Sequence, residues 1–185
     1  MSAVTHLTSE ELEAGLSEIR ESPKDAGVVR LIVRRPQPGA REVLEEGELS
    51  LAEGLVGDGW KARASSRTKD GSPDTNSQVT VMNARAIALL AREKARWELA
   101  GDQLFIDLDL SASNLPPGTR LAVGSAMIEV TVQPHTGCNK FHGRYGLDAL
   151  KFVNSPEGRK LNLRGINAKV VQGGVIRVGD AARKM

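Results

Sequence analysis

Short apolar segments that end at glycine or proline turns recur along this sequence, and this pattern constrains the fold most. Within these segments apolar and polar side chains tend to alternate, as they do in strands with one buried face. The segments are residues 28–35, 41–51, 78–82, 104–108, 120–123, 126–132, 166–171 and 175–178. Strands this short are stable only when they join a closed or well-covered sheet. We therefore predict a mixed α/β, predominantly β fold, a small barrel with peripheral helices, in which the last two segments form a hairpin.

Helices are predicted at four places by capping residues and by apolar spacing. Thr8 and Glu11 have the capping-box pattern at the start of an amphipathic helix that we expect over about 8–21. Asn83 caps a second helix, which we expect to run to about Leu99. Two shorter helices are expected at residues 147–153 and 156–161.

The bulk composition is that of an ordinary globular protein. The chain has 185 residues, 40% of them hydrophobic and 26% charged, which fits one domain over residues 1–185 with a core at about 28–180. No apolar run approaches the ~20 residues that span a bilayer, so no membrane association is expected. The start of the chain lacks the basic and apolar regions of a secretory signal, and we expect a cytoplasmic protein.

The segment 134–146 carries the only cysteine, Cys138, and two of the three histidines. It has many polar residues and glycines and few apolar ones, which predicts a loop that presents a thiol. From residue 133 onwards there are ten Lys and Arg against three Asp and Glu, a net charge of +7. Since neighbouring cations lower the pKa of a thiol and attract anions, this half of the chain favours an anionic ligand and a reactive Cys138.

Three other interpretations of this basic segment stay open. A free cysteine is often a small buried apolar residue without a chemical role. His135, Cys138 and His142 could be three zinc ligands, although their spacing matches no strong zinc signature. Nucleic acid could also use a basic surface, but aromatic residues make up only 3% of the chain and no RNA-binding aromatic motif is present.

Two polar segments earlier in the chain are further candidates for ligand contacts. Residues 54–58, Gly-Leu-Val-Gly-Asp, form either a structural turn or a set of backbone amides that face a ligand. The tract 61–77 contains no large apolar residue and is predicted to be a long surface loop. Its cationic residues Arg63, Arg67 and Lys69 are candidate anion contacts.

Five segments resemble, in this order, the MOSC domain found at the C-terminus of molybdenum cofactor sulfurases. They are residues 54–58, 79–82 with the helix that follows, 115–124, 128–132 with Cys138 six residues later, and 164–180. The similarity covers about residues 28–180 and is greatest to stand-alone bacterial MOSC proteins. Two segments depart from the pattern. Gly59-Trp60 stands where Arg-His is common, and 101–103 reads Gly-Asp-Gln where many relatives have Arg-x-Asn.

The resemblance implies a barrel like that of pyruvate kinase and a site for the molybdenum cofactor, molybdopterin. Cys138 would either carry sulfur as a persulfide or ligate the metal. The residues implied in cofactor binding are Gly57, Asp58, Arg63, Arg67, His135, Thr136, Lys140, Arg144 and Arg164. Pyridoxal phosphate is associated with sulfurase relatives through a separate domain, and nothing in this chain resembles that domain.

The function implied is sulfur transfer or the molybdenum-dependent reduction of N-oxygenated compounds. The partner would be a cysteine desulfurase-like sulfur donor for the first and a separate electron donor for the second. The alternative is a non-catalytic module whose basic loop binds a small anionic metabolite, so the sequence leaves open whether the chain is an enzyme.

Overall fold

A barrel of seven strands forms the centre of the computed structural model, which describes residues 5–185. The strands, in chain order, are β1 (Ala26–Arg34), β2 (Glu42–Leu44), β3 (Glu46–Ser50), β4 (Gly54–Leu55), β5 (Val79–Asn83), β6 (Leu104–Asp107), β7 (Arg120–Val123), β8 (Ala126–Val130), β9 (Ile166–Gln172), β10 (Gly174–Arg177) and β11 (Ala181–Lys184). The barrel follows the order β11-β7-β8-β9-β5-β6-β1, and β1 pairs back with β11. All of its pairs are antiparallel except β5 with β6. The predicted fold class is confirmed.

Strand β1 closes the barrel because it is long enough to pair with three neighbours. Its first residues pair with β11, its middle with β6 and its last residues with β2, with a register shift between Val29 and Leu31. Val29 and Ile32 belong to the core inside the barrel, whereas Leu31 and Val33 belong to the core under the helices. A strand covered on both faces has no polar side to alternate with, which explains its nearly continuous apolar sequence.

The predicted hairpin of the last two segments is wrong. Strand β9 pairs with β8 and β5, and β10 leaves the barrel to join β3 and β4 in a second sheet. Ser125, in the turn between β7 and β8, holds the start of β10: its N–H donates to the Val175 carbonyl at 3.0 Å and its Oγ accepts from the Val175 N–H at 2.8 Å. Strand β11 lies beyond the core predicted to end at 180, and it is the strand that joins β7 to β1.

Within residues 5–185, six α-helices and three 3₁₀-helices lie around the barrel. The α-helices are α1 (Ser9–Ala14), α2 (Leu16–Arg20), α3 (Ala84–Ala91), α4 (Asn139–Tyr145), α5 (Leu147–Asn154) and α6 (Pro156–Lys160). The 3₁₀-helices are Gly59–Ala62, Thr75–Ser77 and Lys94–Ala100. No helix within residues 5–185 is long and apolar enough to cross a membrane. Residues 1–4, to which the expectation about a secretory signal also refers, lie outside the described residues.

The predicted caps are confirmed, but two helices are shorter than expected. Thr8 and Glu11 form both bonds of a capping box, and the Asn83 side chain accepts from the N–H groups of Arg85 and Ala86 in the first turn of α3. The N-terminal helix breaks at Gly15, where a Cβ would lie 2.6 Å from the Leu89 side chain. Helix α3 ends at Ala91, since the next residue has a φ of +62°, and the remainder of the predicted helix is the 3₁₀-helix.

The segment 134–146 is only partly the predicted loop, because α4 occupies its second half. Phe141 and Tyr145, both 1% exposed, lie one helical turn apart with ring centroids separated by 4.9 Å. They anchor α4 on the helix-side core. Two apolar residues at i and i+4 were the only sign of this helix among glycines and polar residues.

Candidate functional site

A polar cleft of about 370 Å³ lies where the loop after β4 meets the segment that precedes Cys138. The cleft is lined by Arg35, Trp60, Arg63, Ala64, Ser65, Arg67, Asp74, Ser77, Thr80, Gln133, Pro134, His135, Thr136 and Asn167. Three of these residues are arginines and only one is acidic. The structure therefore brings four of the predicted binding residues, Arg63, Arg67, His135 and Thr136, into one positively charged space of small-molecule size.

Arg35 is held at the edge of this cleft by a buried ion pair with Asp58. Arg35 Nε and Nη2 each lie 3.0 Å from the Asp58 carboxylate, whose side chain is fully buried. Asp58 also accepts from the backbone N–H groups of Arg35 and Trp60 at 2.8 and 3.1 Å. Because these bonds occupy Asp58, it fixes the positions of Arg35 and the following 3₁₀-helix instead of lining the cleft.

Gly57 does not line the cleft either. Its φ is +82°, and a Cβ there would approach the Arg34 side chain to 3.0 Å. The structural interpretation of the 54–58 turn accounts for both features, because only glycine combines this conformation with such close packing.

A second buried ion pair joins Asp102 to Arg164, and His135 is hydrogen-bonded to the same carboxylate. Arg164 Nη1 lies 2.5 Å from Asp102 Oδ2, and His135 Nε2 lies 2.7 Å from Asp102 Oδ1. Burial opposes ionisation of Asp102, but Arg164 and His135 outweigh it and lower the pKa of the carboxyl to about 2. Asp102 is therefore ionised at neutral pH and accepts both hydrogen bonds.

His135 is neutral in this arrangement. Burial and the nearby Arg164 lower the pKa of its imidazole, and the opposing effect of Asp102 is smaller. A neutral ring that donates from Nε2 to Asp102 leaves Nδ1 as a proton acceptor. Since His135 lines the cleft, the carboxylate and imidazole together can take up or deliver a proton at its wall.

The two ion pairs are linked through the segment that differs from the MOSC pattern. Arg35 Nη1 donates to the Gly101 carbonyl at 2.6 Å, and Arg164 Nη2 donates to the Ala100 carbonyl at 2.9 Å. Gln103 accepts from the N–H and the hydroxyl of Thr80 at 2.8 and 2.6 Å. Asp102 and Gln103 thus belong to a buried polar network. Such a network is stable when its polar groups have hydrogen-bond partners.

Cys138 is exposed and occupies the N-cap position of α4. Partial burial would raise the pKa of its thiol, but the backbone N–H groups of Phe141 and Lys140, together with the charges of Arg164 and Lys140, lower it. The interpretation of Cys138 as a buried apolar residue is therefore wrong. Cys138 does not line the cleft, although Thr136, two residues earlier, does.

The backbone beside the thiol is held firmly. Gly137 donates its N–H to Asn154 Oδ1 at 2.9 Å, and Asn154 Nδ2 donates to the Gly137 carbonyl at 3.1 Å. A Cβ on Gly137 would lie 2.8 Å from the Leu150 side chain. This close approach to α5 explains the glycine and fixes the position from which the thiol projects.

The other predicted residues lie on different sides of α4. Arg164 is buried under it, with its guanidinium 5.0 Å from the Phe141 ring centroid and its Nε without a hydrogen-bond partner. Lys140 is exposed beside Cys138. Arg144 lies at the other end of the helix, where Nη1 donates to the Leu99 carbonyl at 2.5 Å.

The zinc interpretation is not supported. His135 is bonded to Asp102, while His142 is exposed on α4. Among residues 5–185, no three His, Cys, Asp or Glu side chains lie together as potential metal ligands.

Sequence reasoning missed Arg35, Arg41 and Asp102 as parts of the site. Arg35 and Arg41 flank the turn after β1, and both have guanidinium groups close to Gly101. The pair Arg34-Arg35 at the end of an apolar strand was a possible signal of a buried ionic contact, because a charged residue at that place faces either solvent or a buried partner.

Comparison with known proteins identifies the class of protein that this barrel represents. A family model, the MOSC domain, matches residues 67–183, so the chain belongs to the MOSC domain family, which is associated with the molybdenum cofactor. The match includes Cys138 and the Asp102, His135 and Arg164 group. No curated protein sequence matches the chain significantly.

Solved structures show the same fold at low sequence identity. The YuaD protein from Bacillus subtilis is 15% identical over 85% of this chain and 94% of its own, with a TM-score of 0.61. A hypothetical protein is 20% identical over 90% of this chain and 70% of its own, with a TM-score of 0.59. YiiM from Escherichia coli is 20% identical over 85% of this chain and 69% of its own, with a TM-score of 0.54.

Proposed function

We propose that this MOSC protein carries sulfur on Cys138 and binds the molybdenum cofactor through the arginine-lined cleft. The observation that carries the proposal is the exposed Cys138 thiol with a lowered pKa, two residues from a cleft that contains three arginines. Thiolates are the preferred reactive form of cysteine, and an exposed one is accessible to another protein.

The residues present are suited to the cofactor. Guanidinium groups bind phosphate through paired hydrogen bonds, and Arg63 and Arg67 would hold the pterin phosphate in the cleft. A thiolate is a soft ligand of the kind that transition metals accept. The buried Arg164 Nε, which has no partner within residues 5–185, is a further donor beneath this region. When bound, the cofactor would supply a redox-active metal centre.

In the proposed sulfur transfer, the Cys138 thiolate attacks the outer sulfur of a persulfide on a cysteine desulfurase-like donor. The sulfur–sulfur bond of the donor breaks, the donor leaves as a thiolate, and Cys138 gains one sulfur as a persulfide. No net oxidation or reduction occurs. The N–H groups and cations that lower the pKa of the thiol also stabilise the anionic form of the product.

A second candidate function is the reduction of N-oxygenated compounds, with Cys138 as a metal ligand. Cleavage of an N–O bond to an amine and water consumes two electrons and two protons. The neutral His135, hydrogen-bonded to Asp102 at the cleft wall, favours this function because it can relay protons from solvent. The electrons would come from a separate donor protein.

Intact mass and elemental analysis distinguish the candidates. The purified protein is incubated with a cysteine desulfurase and cysteine, and we expect a mass increase of about 32 Da, one sulfur atom, that Cys138→Ser abolishes. Lys140→Gln should slow the transfer, whereas Lys151→Gln, which removes an exposed lysine on α5, should not.

Molybdenum content then decides between the functions. Molybdenum that is bound by the wild type and lost in Cys138→Ser, without a sulfur adduct, would favour the reductase. Neither molybdenum nor an adduct, with anion binding retained, would favour the non-catalytic binding module.

A further inference from the structure

Arg41 and Arg144 converge above Gly101, outside the lining of the cleft. A Cβ on Gly101 would lie 3.6 Å from Arg41 Nη2 and 3.7 Å from Arg144 Nη1, so the two guanidinium groups face the same space over this residue. Gly101 has a φ of +87°, a conformation that favours glycine, and the absence of a Cβ leaves this space free of a side chain. We call these two arginines and the glycine between them the Gly101 cradle.

Both guanidinium groups are fixed by the backbone. Arg41 donates from Nε to the Glu98 carbonyl at 3.3 Å and from Nη1 to the Ala40 carbonyl at 2.7 Å. Arg144 donates from Nη1 to the Leu99 carbonyl at 2.5 Å. Neither arginine has a carboxylate within ion-pair distance in residues 5–185. The Arg41 Nη2 group has no protein acceptor there, so it remains available to a ligand.

The charges around the cradle are poorly compensated. Burial is the main cause of the lowered pKa of Arg41, and the charges of Arg144, Arg35 and Arg63 lower it further. Asp58 is the acidic group that opposes them, and it is already paired with Arg35. Holding several guanidinium groups this close costs free energy that a bound anion would recover.

The arginines of this region form two groups. Arg63 and Arg67 lie in the cleft, and Arg41 and Arg144 lie outside its lining, while Arg35 lines the cleft and donates to the Gly101 carbonyl between them. One phosphate group is well satisfied by one pair of guanidinium forks. We propose that the Gly101 cradle is a second anion subsite, so that the site binds a ligand with two linked phosphate groups, one at each pair of arginines.

This inference deepens the proposed function and rests on it for the interpretation of the ligand as a cofactor. Its test uses only inorganic anions. Isothermal titration calorimetry of the full chain at fixed ionic strength compares phosphate, pyrophosphate and malonate. Since each pair of charge-assisted hydrogen bonds adds substantially to affinity, we expect pyrophosphate to bind about tenfold more tightly than phosphate.

Substitutions locate the second subsite. Arg41→Gln and Arg144→Gln should each weaken pyrophosphate binding about tenfold and change phosphate binding by less than about twofold, because phosphate still has the cleft arginines. Arg183→Gln, which removes an exposed arginine of β11, is the matched control and should change neither. Equal affinities for phosphate and pyrophosphate, or equal effects of the three substitutions, would overturn the subsite. Malonate binding as tight as pyrophosphate would overturn the ligand class.

A measurement on the wild type covers the case in which a variant does not fold. Phenylglyoxal modification of arginines, mapped by mass spectrometry, should be suppressed by pyrophosphate at Arg41 and Arg144 and unchanged at Arg183. Unchanged modification of all three arginines would overturn the proposal. Neither experiment uses Cys138 or molybdenum. A negative result in either would therefore leave the sulfur-transfer proposal intact. In the same way, the absence of a sulfur adduct on Cys138 would leave the second anion subsite intact.

Discussion

The carboxylate of Asp102 lies 2.7 Å from His135 Nε2 and is fully buried, and the side chain of its second partner, Arg164, is only 8% exposed. The pair connects the wall of the cleft to the interior of the molecule. It also ties the segment before Cys138 to the end of the 3₁₀-helix that precedes β6. The geometry of the site therefore depends on a buried ionic group, and most of its testable properties follow from that.

Asp102→Asn should destabilise the fold strongly. The substitution removes the negative charge but leaves Arg164 buried, and an unpaired buried charge of this kind costs about 3–5 kcal/mol. Urea denaturation followed by circular dichroism would measure the loss. Asp148→Asn, at an aspartate without an ion pair in residues 5–185, should change stability by less than about 0.5 kcal/mol. Equal effects of the two substitutions would show that the Asp102 network is not required for stability.

The stability of the fold should fall with acid in two stages. The pKa of His135 is lowered below 6.5 in the folded state, so the unfolded chain takes up this proton first and stability decreases as the pH falls below 6.5. The pKa of Asp102 is lowered from 3.8 to about 2, so the stability it contributes is complete above 3.8 and is lost as the pH falls towards 2.

Unfolding midpoints at a series of pH values test this prediction. His135→Gln should remove the first stage and leave a smaller second stage, because Arg164 alone then lowers the pKa of Asp102. His142→Gln, at an exposed histidine, should keep both. A first stage that survives in His135→Gln would assign it to another group.

The Cys138 thiol should react as a thiolate at a lower pH than the same thiol in the unfolded chain. Its pKa is lowered from 9.0 because the backbone N–H groups and nearby cations outweigh partial burial. Iodoacetamide alkylation rates across pH give the inflection directly, since the chain has no second cysteine. Lys140→Gln should raise the inflection and Lys151→Gln should not. An inert thiol in the folded protein would contradict both the prediction and the proposed sulfur transfer.

Gly137→Ala should be destabilising by about 1–3 kcal/mol, because the added methyl group meets Leu150 at 2.8 Å and Val153 at 3.0 Å. Gly143→Ala is the natural control. Gly143 lies within α4 with nothing within 4 Å of its Cβ position, so alanine there should stabilise the helix by about 0.5–1 kcal/mol. Thermal unfolding of the two variants should therefore shift in opposite directions. A shift in the same direction would mean that α5 can move away from Gly137.

Much of the fold was predictable because local patterns encode it. The caps at Thr8 and Asn83 are formed with residues three or fewer positions away, so both partners of each cap are neighbours in the sequence. Alternation of apolar residues identified most strands of the barrel, and five short segments in order were enough for the family resemblance that the domain match confirms. Helix α4 was missed because its apolar anchors are only Phe141 and Tyr145, a signal too sparse to outweigh the surrounding glycines.

The sequence by itself determined the fold class, the family and the basic character of the segment around Cys138, since periodicity and charge are properties of neighbouring residues. Only the tertiary structure decided which distant groups meet. Asp102 joins His135 across 33 positions and Arg164 across 62, and β11 rather than β10 completes the barrel. Such pairings depend on packing and on the need of each buried charge for a partner, and neither requirement leaves a pattern among adjacent residues.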